Sequence, residues 1–371
     1  MKSVEQNDCE GKEIFCAIDL HDKSLLAGVC VGRGEIGYHL FNTREDQGVM
    51  DLADMLNELW ESQGASRVWV AYEASGSGFR LADVLIEEGF EVRVLAPTHI
   101  PTNSKRRSRK TDKNDVKAIM DVLRGHVLAA ADLPEVWIPG ADLRDDREIV
   151  RRRVDLGESM TRIKNKIHGL LKRNGFRKPE GLLNWTADHL AWLEQVSRDA
   201  PPGCGETLDS LLREYRFYEE EKNLMHREVE RLAGEERYRT KVGAMTAIKG
   251  VAVLTAMVFL TEIGDLDRFP NRKTLGSYLG LTPRSYETGE DDDHKGRISR
   301  MGPARLRKML NQAAWSVVKW ETDWGEWFGD RTEIEGLSAS KKKELRKKMI
   351  VAVMRRLGIW LWHRGKDAAA C

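Results

Sequence analysis

The sequence predicts an α/β domain followed by an all-α region, on three observations. Two apolar runs, Ile14 to Ile18 and Val68 to Tyr72, are each followed at once by a carboxylate, Asp19 and Glu73. Strand-like and helix-like patterns alternate from residue 13 to about 130, while only helical spacing appears beyond about 142. Between these regions a cationic run leads into Asp112 and Asp115, two acids three residues apart.

The first strand runs from Ile14 to Asp19, and Ser24 to Val31 and Gly37 to Phe41 follow with Gly32-Arg33-Gly34 as the turn signal between them. Leu52, Leu56, Leu59 and Trp60 mark an amphipathic helix. The Glu73 strand comes next, then a helix through Phe79, Leu81, Leu85 and Ile86 that Gly89 ends. Val92 to Leu95 is the next strand, stopped by Pro97. Thr111 is an expected N-cap, with Ala118, Ile119, Val122 and Leu123 as the apolar stripe behind it. A three-strand meander followed by βαβ units fits a ribonuclease-H-like fold over residues 13–130.

Buried strands that end in acids deliver them to the sheet rim, where sites form in α/β proteins. Residues i and i+3 share a helix face, so Asp112 and Asp115 can address one spot. Four converging carboxylates repel one another, and a pair of Mg²⁺ (or Mn²⁺) ions would neutralise them. Lys105, Arg106, Arg107, Arg109 and Lys110 stand just upstream and suit phosphate contact. A capped, solvated helix start beside a charged loop has the same spacing.

Residues 142–236 read as a helical coiled-coil linker. Val150, Val154, Ile163, Ile167, Leu170 and Leu171 form a broken stripe among many Arg and Lys. After Pro201-Pro202-Gly203, apolar residues recur near heptad spacing from Leu208 to Leu232. Only residues 150–171 or a second subunit can bury that stripe, so a homo-oligomer, dimer or tetramer, is expected. Residues 240–365 read as a third, mainly helical domain. Ala247 to Ala252 is similar to the turn of a helix-hairpin-helix, whose amides can hold phosphate. A hydroxyl-bearing loop, Thr282 to Gly289, precedes an acidic run, Glu290 to Asp293, and then the cations Arg297, Arg300 and Arg305. Such a loop could set a nucleophile beside a phosphodiester. Trp315, Trp320, Trp324 and Trp327 are expected mostly in core or interface.

Composition narrows the classes further. Hydrophobic residues make up 41% and charged residues 32%, as in a protein with long charged helices. The net charge is only +1, so nucleic-acid affinity must come from local patches. Five cysteines without a CxxC pair argue against a structural zinc or a disulfide framework and suit a reducing cytosol. The polar start, Met1 to Gly11, predicts no signal peptide, and the apolar run Val251 to Leu260 is too short to span a bilayer. A cytoplasmic, nucleoid-associated protein with no membrane partner is expected. No glycine-rich phosphate loop follows Asp19, which sets aside a sugar-kinase-like ATPase.

The motifs Ala17-Ile18-Asp19, Tyr72-Glu73-Ala74-Ser75-Gly76, Lys110 to Asp115, Gly280-Leu281-Thr282-Pro283-Arg284 and Ser299-Arg300-Met301-Gly302 occur in this order over nearly the whole chain. In that arrangement the sequence resembles the IS110 family of insertion-sequence transposases, relatives of the Piv-type DNA invertases and bridge-RNA-guided DEDD recombinases. The resemblance implies a RuvC-like domain with Asp19, Glu73, Asp112 and Asp115 as catalytic metal ligands. It also implies donor and target DNA, a structured guide RNA, and a serine nucleophile in the loop after Leu-Thr-Pro-Arg. This chain has Thr288 at that position, with Ser285 as the alternative. A Holliday-junction-resolvase-like metal nuclease and a non-catalytic nucleic-acid-binding derivative are the other readings.

Overall fold

The computed structural model describes residues 12–44, 47–100, 111–286 and 294–368. Two compact units divide the chain, residues 1–138 and 139–371.

The first unit is built on a five-stranded sheet of order β3-β2-β1-β4-β5. Strands β1 (Glu13–Leu20), β2 (Ser24–Val31) and β3 (Gly37–Asn42) form the expected antiparallel meander. Strands β4 (Arg67–Glu73) and β5 (Glu91–Leu95) then add in parallel to β1. Alternation along the strands splits the core by face. Ile14, Cys16, Ile18, Val70 and Tyr72 meet helices α1 (Gln47–Gln63) and α2 (Arg80–Glu87) through Leu52, Leu56, Leu81 and Leu85. Phe15, Ala17, Trp69 and Ala71 face α3 (Asp112–Ala129) through Val116, Ile119, Met120 and Leu123. The outer edge of β5 is covered by the backbone of residues 134–136, through Ala96 N to Pro134 O and Val136 N to Val94 O, both at 2.7 Å. The first unit therefore reaches past residue 130.

In the second unit two long helices, α4 (Ala141–Arg173) and α6 (Pro202–Ala233), lie antiparallel. Val150 and Val154 share a core with Val229 and Leu232, while Ile163, Ile167 and Leu170 share one with Leu208, Leu212 and Tyr215. Residues 150–171 thus bury both ends of the α6 stripe within the chain. Tyr218 and Met225, in its middle, are partly buried, and Phe217 and Leu224 beside them on the helix are exposed. A shorter helix, α5 (Ala187–Asp199), packs on the α6 end of this pair.

Helices α7 (Glu236–Thr246), α8 (Val253–Ile263), α9 (Arg272–Tyr278), α10 (Ala304–Trp320), α11 (Thr322–Thr332) and α12 (Ala339–Asp367) complete the unit. One core runs from Val150 on α4 to Trp362 on α12, so the stretches expected at 142–236 and 240–365 share their interior. Trp324 stacks on Trp360 and Trp315 meets Phe328 edge-on, while Trp315 and Trp320 are both exposed.

A buried carboxylate ties the long helix to that core. Glu262, at the end of α8, takes both donors of Arg151, at 2.8 and 2.9 Å, and Arg147 reaches the Thr261 carbonyl at 2.6 Å. Removing one partner of such a pair strands the other charge. Glu262→Ala should destabilise the second unit by about 1–3 kcal/mol in chemical denaturation. A loss indistinguishable from that of an exposed Glu→Ala change would show that the pair contributes nothing.

Candidate metal site and hydroxyl loop

Strand pairing sets the first two acids. Ile18 pairs with Tyr72 across the parallel β1–β4 ladder, so Asp19 and Glu73 are the next residues on neighbouring strands. Both alternate onto the face of Ala17 and Ala71, the face that α3 covers. Helix α3 brings the second pair, with Asp112 and Asp115 in its first turn. Gly28 on β2 permits this approach: a Cβ there would lie 2.4 Å from Val116 Cγ1. Thr111 stands at the N-cap with extended backbone, but its hydroxyl makes no capping bond. Its carbonyl instead accepts from the Asn114 and Asp115 amides, at 2.8 and 3.1 Å. The amide end of α3 favours carboxylates in that turn, which offsets part of their mutual repulsion.

Asp19 is the most constrained of the four. Its side chain is 18% exposed, and its Oδ2 is buried without a hydrogen-bond partner. Burial pushes its pKa above the usual carboxylate range; His21 pulls it down, while Asp112 and Asp115 push it further up. The His21 Nε2 lies 3.3 Å from Asp19 Oδ2 and 3.8 Å from Asp112 Oδ1. Asp19, His21 and Asp112 each offer a ligand atom, all within 4.8 Å of one another. Glu73 and Asp115 lie outside that closest group, and each keeps other contacts.

His21 is the residue that sequence reasoning missed. It stands two positions after Asp19, as the strand ends, and only the spacing Asp-Leu-His marks it. The carboxylate oxygens at this spread suit a hard divalent ion such as Mg²⁺ or Mn²⁺, whereas the imidazole nitrogen is the softer donor of the group. The buried Oδ2 of Asp19, with the His21 nitrogen as its neighbour but no hydrogen bond of good geometry, fits that use, because a cation would complete its coordination.

The cationic run Lys105, Arg106, Arg107, Arg109 and Lys110 lies outside the described residues, as do Thr288 and the acidic run. Around Thr288 the structure shows the frame. Strands β6 (Pro283–Tyr286) and β7 (His294–Ile298) form an antiparallel hairpin in which Ser285 pairs with Lys295. Ser285 is thus a strand residue, not part of the connecting loop.

Glycines clamp the base of this hairpin. A Cβ on Gly302, at φ 108°, would lie 1.8 Å from the Tyr278 carbonyl oxygen, and one on Gly280, at φ 66°, 2.3 Å from that of Met301. Arg300 itself adopts φ 56° and donates its amide to Gly280 O at 3.2 Å. Arg297 and Arg300 are exposed.

Two groups expected at phosphate have internal partners. Arg305 holds Asp155 through both Nε and Nη2, at 3.0–3.2 Å, and braces α10 on α4. In the turn between α7 and α8, the Lys249 amide donates to Glu321 Oε1 at 2.8 Å, so an internal carboxylate occupies the place a phosphate would take. Gly250 packs that turn against the α10 backbone at Ser316 and Val317.

The chain matches two transposase family models. One, described as the IS116/IS110/IS902 family, covers residues 243–328; the other covers residues 16–175, which include all four acids. The transposase-named protein y4rJ of Sinorhizobium fredii is 30% identical, over 94% of this chain and 91% of its own length. The chain belongs to the IS116/IS110/IS902 transposase family. A second transposase-named protein of that organism, y4qE, is 28% identical over 82% of this chain and 72% of its own length. The pilin gene-inverting protein of Moraxella bovis is 24% identical to this transposase, over 85% of this chain and 84% of its own length. Among the described residues of the transposase, no helix is long and apolar enough to cross a membrane.

The raised pKa of Asp19 has a testable sign. Its folded value lies above the unfolded one, so the ionised form costs stability at neutral pH, and that cost fades as pH falls through the folded value. Without metal at pH 7, Asp19→Asn should raise the Tm. It should also remove any Tm gain that Mg²⁺ or Mn²⁺ gives the unaltered chain. Thermal unfolding with and without metal reads both effects; an undiminished metal-dependent gain would exclude Asp19 as a ligand.

Proposed function

We propose that this transposase cuts and rejoins DNA strands with a divalent metal held by Asp19, Glu73, Asp112 and Asp115 in a ribonuclease-H/RuvC-like domain. The observation that carries the reading is the gathering of Asp19, His21 and Asp112 ligand atoms within 4.8 Å of one another at the rim of the sheet, around a largely buried carboxylate. When bound, Mg²⁺ or Mn²⁺ would offset charge on the scissile phosphate. Asp19 is held in place by β1, and Asp112 by the seating of α3 on Gly28. Glu73 and Asp115 stand on the same face and complete the set. His21 adds a nitrogen donor and orients Asp19.

The Thr288 hydroxyl is the nucleophile. Its oxygen forms a bond to phosphorus, the bond to one sugar oxygen breaks, and the departing sugar takes up a proton. The resulting protein–DNA ester conserves the bond energy for rejoining. Placing Ser285 within the β6–β7 ladder favours Thr288, which lies in sequence between the two strands. Gly289, next in sequence, has no side chain to crowd a phosphate.

The family resemblance further supports a structured guide RNA that selects donor and target DNA, and a homo-oligomer that holds both sites. Arg297 and Arg300, exposed at the foot of the hairpin, and the run Lys105 to Lys110 are the proposed backbone contacts. The likeness to a pilin gene-inverting protein favours strand exchange over simple cleavage.

Trapping of a covalent adduct tests the reading. End-labelled donor DNA, incubated with the full chain, its flanking noncoding RNA and Mg²⁺, should give a denaturant-resistant protein–DNA band. Thr288→Ala should abolish it while leaving RNA binding intact, and Thr288→Ser, with one methyl less to crowd attack, should equal or exceed the unaltered rate. Cleavage without an adduct would point to water as the attacking group. An adduct lost only in Ser285→Ala would transfer the role to Ser285.

A further inference from the structure

Helix α4 carries a groove that the acidic site and the hydroxyl loop do not account for. It encloses about 530 Å³ and is lined by Arg153, Gly157, Thr161 and Arg162 on α4 and by Lys308 and Gln312 on α10. Arg153, Gly157 and Thr161 recur at a spacing of four and so share one helix face. The missing side chain at Gly157 leaves the floor open; a Cβ there would touch only Arg153 Nη1, at 3.6 Å.

The charges along this groove do not balance. Glu158 takes Lys308 at 2.7 Å, and Asp155 takes Arg305. Arg162 donates to the Ser159 hydroxyl at 2.8 Å. Four cations thus stand against two carboxylates. Arg153 is the unusual one: it is half-buried, and its Nε is buried with no hydrogen-bond partner. Burial pulls its pKa below the ordinary arginine value, and no carboxylate offsets that pull. An unpaired, partly desolvated guanidinium costs stability, so the groove lacks its counter-charge.

We propose that this groove binds a backbone phosphate of nucleic acid, with Arg153 as the principal donor and Arg162 and Gln312 around it. A guanidinium presents a planar fork of donors that matches two phosphate oxygens, and the Gln312 amide adds a neutral donor. Membership of a DNA-acting family identifies the anion as a phosphodiester rather than a carboxylate. The assignment is independent of the metal site.

Fluorescence anisotropy on the full chain tests it, with a mixed-sequence DNA duplex and an RNA hairpin as separate probes over a salt series. Arg153→Leu should weaken binding roughly tenfold at low salt and reduce the salt slope by about one unit. The same variant should raise the Tm, because it removes a buried charge without a partner. Gly157→Leu keeps the guanidinium but fills the floor, and it should weaken binding too. Arg152→Leu removes an equal charge from an exposed position of the same helix and should have the smaller effect. Weakening with the duplex alone assigns the phosphate to DNA, weakening with the hairpin alone assigns it to RNA, and either upholds the proposal. Unchanged binding of both probes in either variant would overturn it, as would an equal loss in Arg152→Leu or a lowered Tm in Arg153→Leu.

Discussion

Carboxylates forced together at a partly dry sheet rim are the constraint on which the first unit turns. Asp19 is desolvated and faces Asp112 and Asp115, with the His21 ring beside it as its attractive partner among the described residues. A fold under selection for stability alone would separate these charges or pair them with Lys or Arg. Here the parallel β1–β4 ladder fixes Asp19 beside Glu73, and Gly28 lets α3 come close enough to present its first turn. The arrangement is stable only to the extent that the sheet and its two faces over-determine it, and a bound cation would relieve it.

Much of the first unit could be read from the chain because one signal dominates there. Ile14 to Ile18 and Val68 to Tyr72 are apolar without a break, which only strands buried on both faces require. Their terminal acids were legible for the same reason, since the end of such a run is a rim. His21 was not, because a single histidine after a strand end carries no period; only three-dimensional proximity to Asp112 gives it meaning. The N-cap at Thr111 was right in position and wrong in chemistry, as the backbone there is satisfied without the hydroxyl.

In the second unit the sequence showed where helices lie but not what they spend their charges on. The stripe from Leu208 to Leu232 left open whether α4 or another subunit covers it, and α4 covers both its ends. Arg305 looked like a phosphate ligand because it follows Arg297 and Arg300, yet Asp155, far off in sequence, takes it. Arg153 looked like one more arginine in a solvated face, yet it is half-buried with no carboxylate against it among the described residues. Pairing between distant residues is set by packing, and composition cannot rank one arginine above another. Gly280 and Gly302 carry a signal that the sequence did contain, since each sits where a backbone crossing leaves no room for a Cβ.

The central claim is that the rim of the sheet is a metal site rather than a repulsive accident of charge. Anomalous diffraction from crystals of the full chain soaked in Mn²⁺ tests it most directly. The account predicts a peak at about 2.0–2.6 Å from carboxylate oxygens of both Asp19 and Asp112. A fully occupied Mn²⁺ position elsewhere in the chain, with no peak between β1 and the first turn of α3, would contradict it.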